Sequence, residues 1–220
     1  MAIVCGIDDA GRGPVIGPMV LAGALINGND LQKLKELGVK DSKLLSPKKR
    51  EELYNHIISL AKNYKIIVVS PEEIDQALES DTSNLNILES KKFAQIINVL
   101  KPEKTIVDCP SNNIIAYTSH LKTLLKVDTK LECHHKADFK FIEVGCASIL
   151  AKVTRDREIE KIQKRIKIDF GSGYPSDPLT KEFLKKNWNK YPDIFRHSWA
   201  TFKEVSEGKS SKKQMKIGDF

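Results

Sequence analysis

No stretch of about 18 consecutive apolar residues occurs in the chain, so nothing in it is long enough to cross a bilayer as a helix. The first residues, Met1-Ala2-Ile3-Val4-Cys5, lack the basic segment, apolar stretch and small-residue cleavage site of a secretory leader, and the expected location is the cytoplasm. Cysteine is scarce. Cys5, Cys109, Cys133 and Cys146 form no CxxC pair and no regular framework, which reads as free thiols in a reducing compartment rather than a disulfide scaffold. No internal repeat is visible.

What is present is a chain of 220 residues, 40% of them hydrophobic, enough to bury one sizeable core with at most a small appendage. The formal charge of +7 points to an anionic partner, and its distribution says more than its size. Lysine and arginine gather at Lys48-Lys49-Arg50, over 152–167 and 181–190, and in the C-terminal tail, whereas several acids sit in apolar, strand-like surroundings.

The pattern predicts strands at Ile3–Ile7, Met19–Ile26, Ile66–Val69 (ended by Ser70-Pro71), Thr105–Asp108 and Lys130–Cys133. Helices are expected from Ser46-Pro47 to about Lys62, over 85–100, 113–125 and 147–165, and near 178–189 and 198–205. Strands alternating with helices give an α/β fold, a sheet with helices packed on it. The polar residues from about Ser206 read as a flexible tail.

Asp8 and Asp9 directly follow the first predicted strand, Asp108 ends another, and Asp138 lies in the polar stretch after His135-Lys136-Ala137. Strand ends hold side chains rigidly at a sheet edge. Four carboxylates brought together there would repel one another unless divalent cations sat among them; Mg²⁺ takes such hard oxygen ligands and keeps waters that leave room for a phosphate. On spacing alone an aspartate at a strand end is more often a turn former or helix cap.

The stretch from Gly6 to Pro18, Gly-Ile-Asp-Asp-Ala-Gly-Arg-Gly-Pro-Val-Ile-Gly-Pro, resembles the signature of the ribonuclease HII family. Four further blocks fit that family in order: Asp41-Ser42-Lys43; Val107-Asp108; His135-Lys136-Ala137-Asp138 leading to Ala147–Asp156; and Gly171–Pro178. The likeness runs from residue 3 to about 205 and is nearest the archaeal and eukaryotic branch.

The resemblance implies a mixed ribonuclease H-like sheet flanked by helices, with a catalytic core over 1–165, a helical C-terminal part over 166–205 covering one side of the substrate groove, and a tail over 206–220. It implies an endonuclease that hydrolyses the RNA strand of RNA–DNA hybrids and cuts at ribonucleotides embedded in DNA, in replication and repair. Two divalent ions, Mg²⁺ or Mn²⁺, would be held by Asp8, Asp9, Asp108 and Asp138, and the products would carry 3′-hydroxyl and 5′-phosphate ends. Asp9 departs from the family, which usually has Glu there; Asp places its carboxylate roughly 1.5 Å nearer the backbone.

Gly11-Arg12-Gly13 combines close backbone approach with a guanidinium able to pair with a phosphate. By resemblance this loop contacts the 2′-hydroxyl beside the scissile bond, Tyr174 stacks on the nucleotide sugar, and Lys43 and Lys136 contact substrate. Without the family, Gly-Arg-Gly reads first as a common turn and Tyr174 as a loop residue packed on the core. Ser148 reads as close helix packing, and Asp156 as a local partner of Lys152. Cys133-His134-His135 lacks the ligand spacing of a zinc site.

In the tail, Gln214, Ile217 and Phe220 recur at i, i+3 and i+6, which a 3₁₀ turn places on one face. The arrangement resembles the sliding-clamp-binding motif, although that motif commonly ends in two aromatics and here the chain stops at the first. The expectation is a monomer with no membrane association. The rival readings are a non-cleaving nucleic-acid-binding module recruited to a clamp, and another nuclease, such as a resolvase, on the same fold.

Overall fold

The computed structural model describes residues 2–39 and 45–208. Five strands form one sheet in the order β3-β2-β1-β4-β5: β1 (Ile3–Ala10), β2 (Met19–Asn27), β3 (Asn63–Val69), β4 (Lys104–Asp108) and β5 (Lys130–His134). β2 is antiparallel to both β1 and β3, and β4 runs parallel to both β1 and β5. The chain thus builds outward on one side of β1, then crosses to the other. That reversal leaves the carboxyl ends of β1 and β4 side by side, the usual place for a site in an open α/β sheet.

The helices are α1 (Leu31–Leu37), α2 (Pro47–Leu60), α3 (Pro71–Glu79), α4 (Leu85–Leu100), α5 (Ile114–Thr123), α6 (Ala137–Lys140), α7 (Ile142–Ile166), α8 (Pro178–Asn187) and α9 (Ala200–Ser206). Ser46 caps α2 by accepting from the Lys49 amide, with Pro47 in the first turn. Ser70-Pro71 does the same for α3, so the dipeptide that ends β3 also starts a helix. β3 begins three residues before the expected Ile66 because Asn63, Tyr64 and Lys65 pair with β2 at an exposed edge.

Apolar side chains on the two faces of the sheet belong to separate clusters. On one, Cys5, Ile7, Leu21 and Val107 pack on Phe93, Ile97, Tyr117 and Leu121 of α4 and α5. On the other, Val20, Ala22 and Ala24 pack on Leu53 and Ile57 of α2 and on Cys146, Leu150 and Val153 of α7. α7 starts five residues earlier than expected and lies directly against β1. A Cβ added at Gly6 would fall 2.1 Å from the carbonyl carbon of Glu143, so glycine is what lets helix and strand touch. A third cluster joins Phe183, Leu184 and Phe202 of α8 and α9 to Val15 and Ile16 in the β1–β2 connection and Ile159 of α7.

Candidate active site

β1 continues through Asp8 and Asp9 to Ala10, so the two carboxylates lie within the strand and not after it. Side chains alternate along a strand. Cys5 and Ile7 face α4 and α5, while Val4 packs on Val144 and Ala10 packs among other residues of α7. Asp8 therefore faces α7, and Asp9 faces the opposite side of the sheet. On β4, Val107 belongs to the α4–α5 side and Ile106 to the α7 side, which places Asp108 with Asp8. Ile7 pairs with Val107 in parallel register, setting Asp8 and Asp108 one step further along adjacent strands.

Asp138 arrives from α6. The Ala137 amide donates to Asp108 Oδ1 at 2.7 Å, fastening the start of that helix to the end of β4. Asp138 accepts from the Phe139 amide at 3.1 Å, and Asp8 from the Asp9 amide at 2.8 Å. All four aspartates line one cavity of about 340 Å³, bordered also by Gly11, Arg12, Gly13, Pro110, Ser148, Lys152 and Tyr174.

The electrostatics of this cavity are those of crowded carboxylates. Burial pushes the Asp8 carboxyl well above its ordinary range, and the charges of Asp9 and Asp108 push it the same way; hydrogen bonds from the Ser148 hydroxyl and the Asp9 amide oppose them. Among the described residues no three His, Cys, Asp or Glu side chains form a ready-made cation cage. The donor set of carboxylate oxygens nonetheless fits a hard divalent cation, whose charge would relieve the repulsion around Asp8.

The turn after β1 is gripped from the far end of the chain. Arg196, fully buried, donates Nη2 to the Gly11 carbonyl at 2.6 Å, Nη1 to the Arg12 carbonyl at 2.9 Å and Nε to the Gly17 carbonyl at 3.0 Å. The Trp199 indole donates to the Gly13 carbonyl at 3.1 Å, and the Arg196 guanidinium lies over its ring. Gly11 has φ of 83°, a left-handed conformation suited to glycine. Tyr174 stands beside Gly13, its ring beneath the Arg155 guanidinium. The preceding Gly173 carbonyl accepts from the Val15 and Ile16 amides.

The Ribonuclease HII family matches residues 5–202 of the chain, across every element that builds this cavity. The chain belongs to that family. It is 44% identical to Ribonuclease HII of Pyrococcus furiosus, over 98% of this chain and 96% of the relative. Among solved structures, the ribonuclease H2 from Pyrococcus horikoshii OT3 aligns with a TM-score of 0.85 at 43% identity, covering 94% of this chain and 98% of that one. A chain in the PCNA:RNase HII complex from Archaeoglobus fulgidus aligns with a TM-score of 0.81 at 40% identity, covering 90% and 95%. As a ribonuclease HII, the chain is a ribonuclease H enzyme, an endonuclease acting on the RNA of RNA–DNA hybrids, in a family that depends on divalent metal.

Of the residues singled out from sequence, the structure gathers Asp8, Asp9, Asp108, Asp138, Gly11, Arg12, Gly13 and Tyr174 around one cavity of this ribonuclease HII. Lys136 is exposed on the turn before α6 and is not part of the lining; Lys152 is. Arg12 already has partners, Glu89 and Asn86 of α4. Lys43 and the tail residues Gln214, Ile217 and Phe220 lie outside the described residues.

Sequence reasoning read Ser148 as packing, linked Lys152 only to Asp156, and gave Arg155 no role. The Lys152–Asp156 pair does form, at 2.8 Å, but residues 148, 152 and 155 are also spaced i, i+4 and i+7, one face of α7 turned to the site. Arg196 and Trp199 carried no such local signal, since their partners lie more than 170 residues away in the chain.

Among the described residues no helix is long and apolar enough to cross a membrane. All four cysteines are free and buried.

Proposed function

We propose that this cavity hydrolyses the phosphodiester of a ribonucleotide, both along the RNA strand of a hybrid and at single ribonucleotides embedded in DNA, leaving 3′-hydroxyl and 5′-phosphate ends. One observation carries the reading: four aspartates from β1, β4 and α6 share a cavity with the Gly11-Arg12-Gly13 turn and Tyr174. Asp8, Asp108 and Asp138 on the α7 side, with Asp9 reaching in from the other face, would hold two divalent ions, Mg²⁺ or Mn²⁺. Bound there, the ions supply an activated water and neutralise charge on the reacting phosphate.

The remaining work falls to the chain's own residues. Asp8, Asp9 and Asp108 are set by strand backbone, so the carboxylates are oriented before substrate arrives. Arg196 and Trp199 occupy the carbonyls of the Gly11-Arg12-Gly13 turn, which leaves its amides as the donors for a 2′-hydroxyl. Tyr174, steadied by Arg155, offers its ring to the sugar. Lys152 at the rim supplies positive charge for a neighbouring phosphate. The segment over 166–205 covers one side of the groove, its apolar cluster seated on the β1–β2 connection.

The test is a labelled DNA duplex carrying one ribonucleotide, and a matched all-DNA control, incubated with Mg²⁺, Mn²⁺ or chelator. Cutting at the ribonucleotide in either metal, and in neither the control nor chelator, is the expected result. Equal cutting of the all-DNA duplex would overturn the 2′-hydroxyl reading, and binding without cutting would overturn the metal site built with Asp9.

The same reading extends to replication and repair through the tail. The similarity to a chain found with PCNA supports Gln214, Ile217 and Phe220 as a sliding-clamp-binding segment. Truncation after Gly208 is expected to preserve cutting of free duplex and abolish co-elution with a clamp; unchanged co-elution would refute the assignment.

A further inference from the structure

Asn86 and Glu89 are spaced i, i+3 on α4, on one helix face, and both engage the side chain of Arg12. Nη1 of Arg12 pairs with Glu89 Oε2, and Nη2 donates to Asn86 Oδ1 at 2.7 Å. Its carbonyl is held at the same time by Arg196. Each terminal nitrogen commits one N–H to α4, which fixes the plane and direction of the guanidinium, while Nε–H and the second N–H of each terminal nitrogen are not used by these two partners.

Glu89 is the unusual member of the pair. Its side chain is wholly inaccessible to solvent, and its second oxygen, Oε1, is buried without a hydrogen-bond partner. A carboxylate in such a place is tolerated only with a paired cation, so α4 commits a buried charge to fixing this one arginine. Arg12 lies on the side of the sheet that Asp9 faces, and the two charges interact.

We propose that Asn86 and Glu89 are positioning residues of the cleavage reaction, holding the Arg12 guanidinium as a fixed positive charge beside Asp9. The inference rests on the reading of Asp9 as a working metal ligand. It assigns α4 a part in orienting the one carboxylate that approaches from outside the α7 face.

Glu89→Gln, Asn86→Ala and the unaltered enzyme are compared by steady-state cleavage of an RNA–DNA hybrid, by Mn²⁺ titration without nucleic acid, and by thermal melting. For Glu89→Gln, kcat is expected to fall about 10- to 100-fold and Mn²⁺ binding to weaken in step, with KM nearly unchanged. Asn86→Ala, at a half-buried position, should show a smaller loss of the same kind and keeps the test alive if Glu89→Gln does not fold. A fall in KM with kcat intact, as for an arginine released onto phosphate, would overturn the proposal. So would a lower melting temperature with kcat and Mn²⁺ affinity unchanged. Failure of the unaltered enzyme to cleave in metal would count against Asp9 itself, whereas variants matching an active parent would count only against Asn86 and Glu89.

Discussion

Trp199 donates its indole N–H to the carbonyl of Gly13, 3.1 Å away and on the opposite end of the chain. With Arg196 it converts the turn after β1 from a loop on the surface into one clamped at three consecutive carbonyls. Trp199→Phe keeps the ring beneath Arg196 and removes this one donor. The expected stability loss is about 1 kcal/mol, that of a single hydrogen bond. Discrimination between a ribonucleotide-containing duplex and all-DNA should fall with it. Denaturant unfolding and paired cleavage assays measure the two; unaltered discrimination would detach Trp199 from the site.

Asp8 gives a pH signature. Its carboxyl is raised from an ordinary value of 3.8 by burial first and then by Asp9 and Asp108, so the metal-free folded state holds this proton more tightly than the unfolded chain. The stabilisation from that proton is complete below about 3.8 and is lost as pH rises toward the folded-state value. Asp8→Asn should therefore melt higher than the parent at neutral pH in chelator, with the difference closing in acid. Its metal-dependent cleavage should drop by several kcal/mol in activation terms, on the order of 10²-fold or more. An Asp8→Asn variant that cut normally would remove Asp8 from the chemistry.

Asp9→Glu tests the departure from the family. The longer side chain carries the carboxylate roughly 1.5 Å further from β1, and Mg²⁺ is stricter about octahedral geometry than larger divalent ions. Cleavage should persist, with the Mg²⁺ rate rising relative to the Mn²⁺ rate. Parallel metal titrations of single-turnover rates check this; no change in the ratio would mean that the ion near Asp9 is placed by other residues.

Gly6→Ala should be among the most damaging changes in the core. The new methyl would stand 2.1 Å from backbone atoms of Glu143 in α7, which have no rotamer to retreat into. Overpacking of this kind costs about 3 kcal/mol, and the helix it displaces carries Ser148, Lys152 and Arg155. A variant with parental stability and activity, by melting and cleavage, would show that α7 can shift along β1.

The element pattern was legible in the sequence wherever signals were local. The strands expected from Ile3, Met19 and Thr105 (the last beginning one residue earlier, at Lys104), the proline-capped helix at Pro47 and the helical spacing of 85–100 all follow from periodicity and capping, which act over a few residues. β1 runs past the expected Ile7: aspartate is a poor strand former by propensity alone, but pairing with β2 overrides that preference out to Ala10. α3 is hidden in the sequence because Ser70-Pro71 both ends a strand and starts a helix, by the same dipeptide chemistry that starts α2.

By itself the sequence determined that the chain alternates strands and helices, that its cysteines form no regular framework, and that a set of ordered blocks containing four aspartates belongs to one family. Those are properties of residue type and order, and they survive being read along a line. The tertiary structure decided that Asp8 and Asp9 face opposite sides of the sheet, that Arg12 is tied to Glu89 and Asn86, and that Arg196 and Trp199 hold the carbonyls of a turn near the other end of the chain. Hydrogen bonds and buried charge pairs depend on distance in space, and residues this far apart in sequence acquire a distance only when the core around β1, β4 and α7 brings them together.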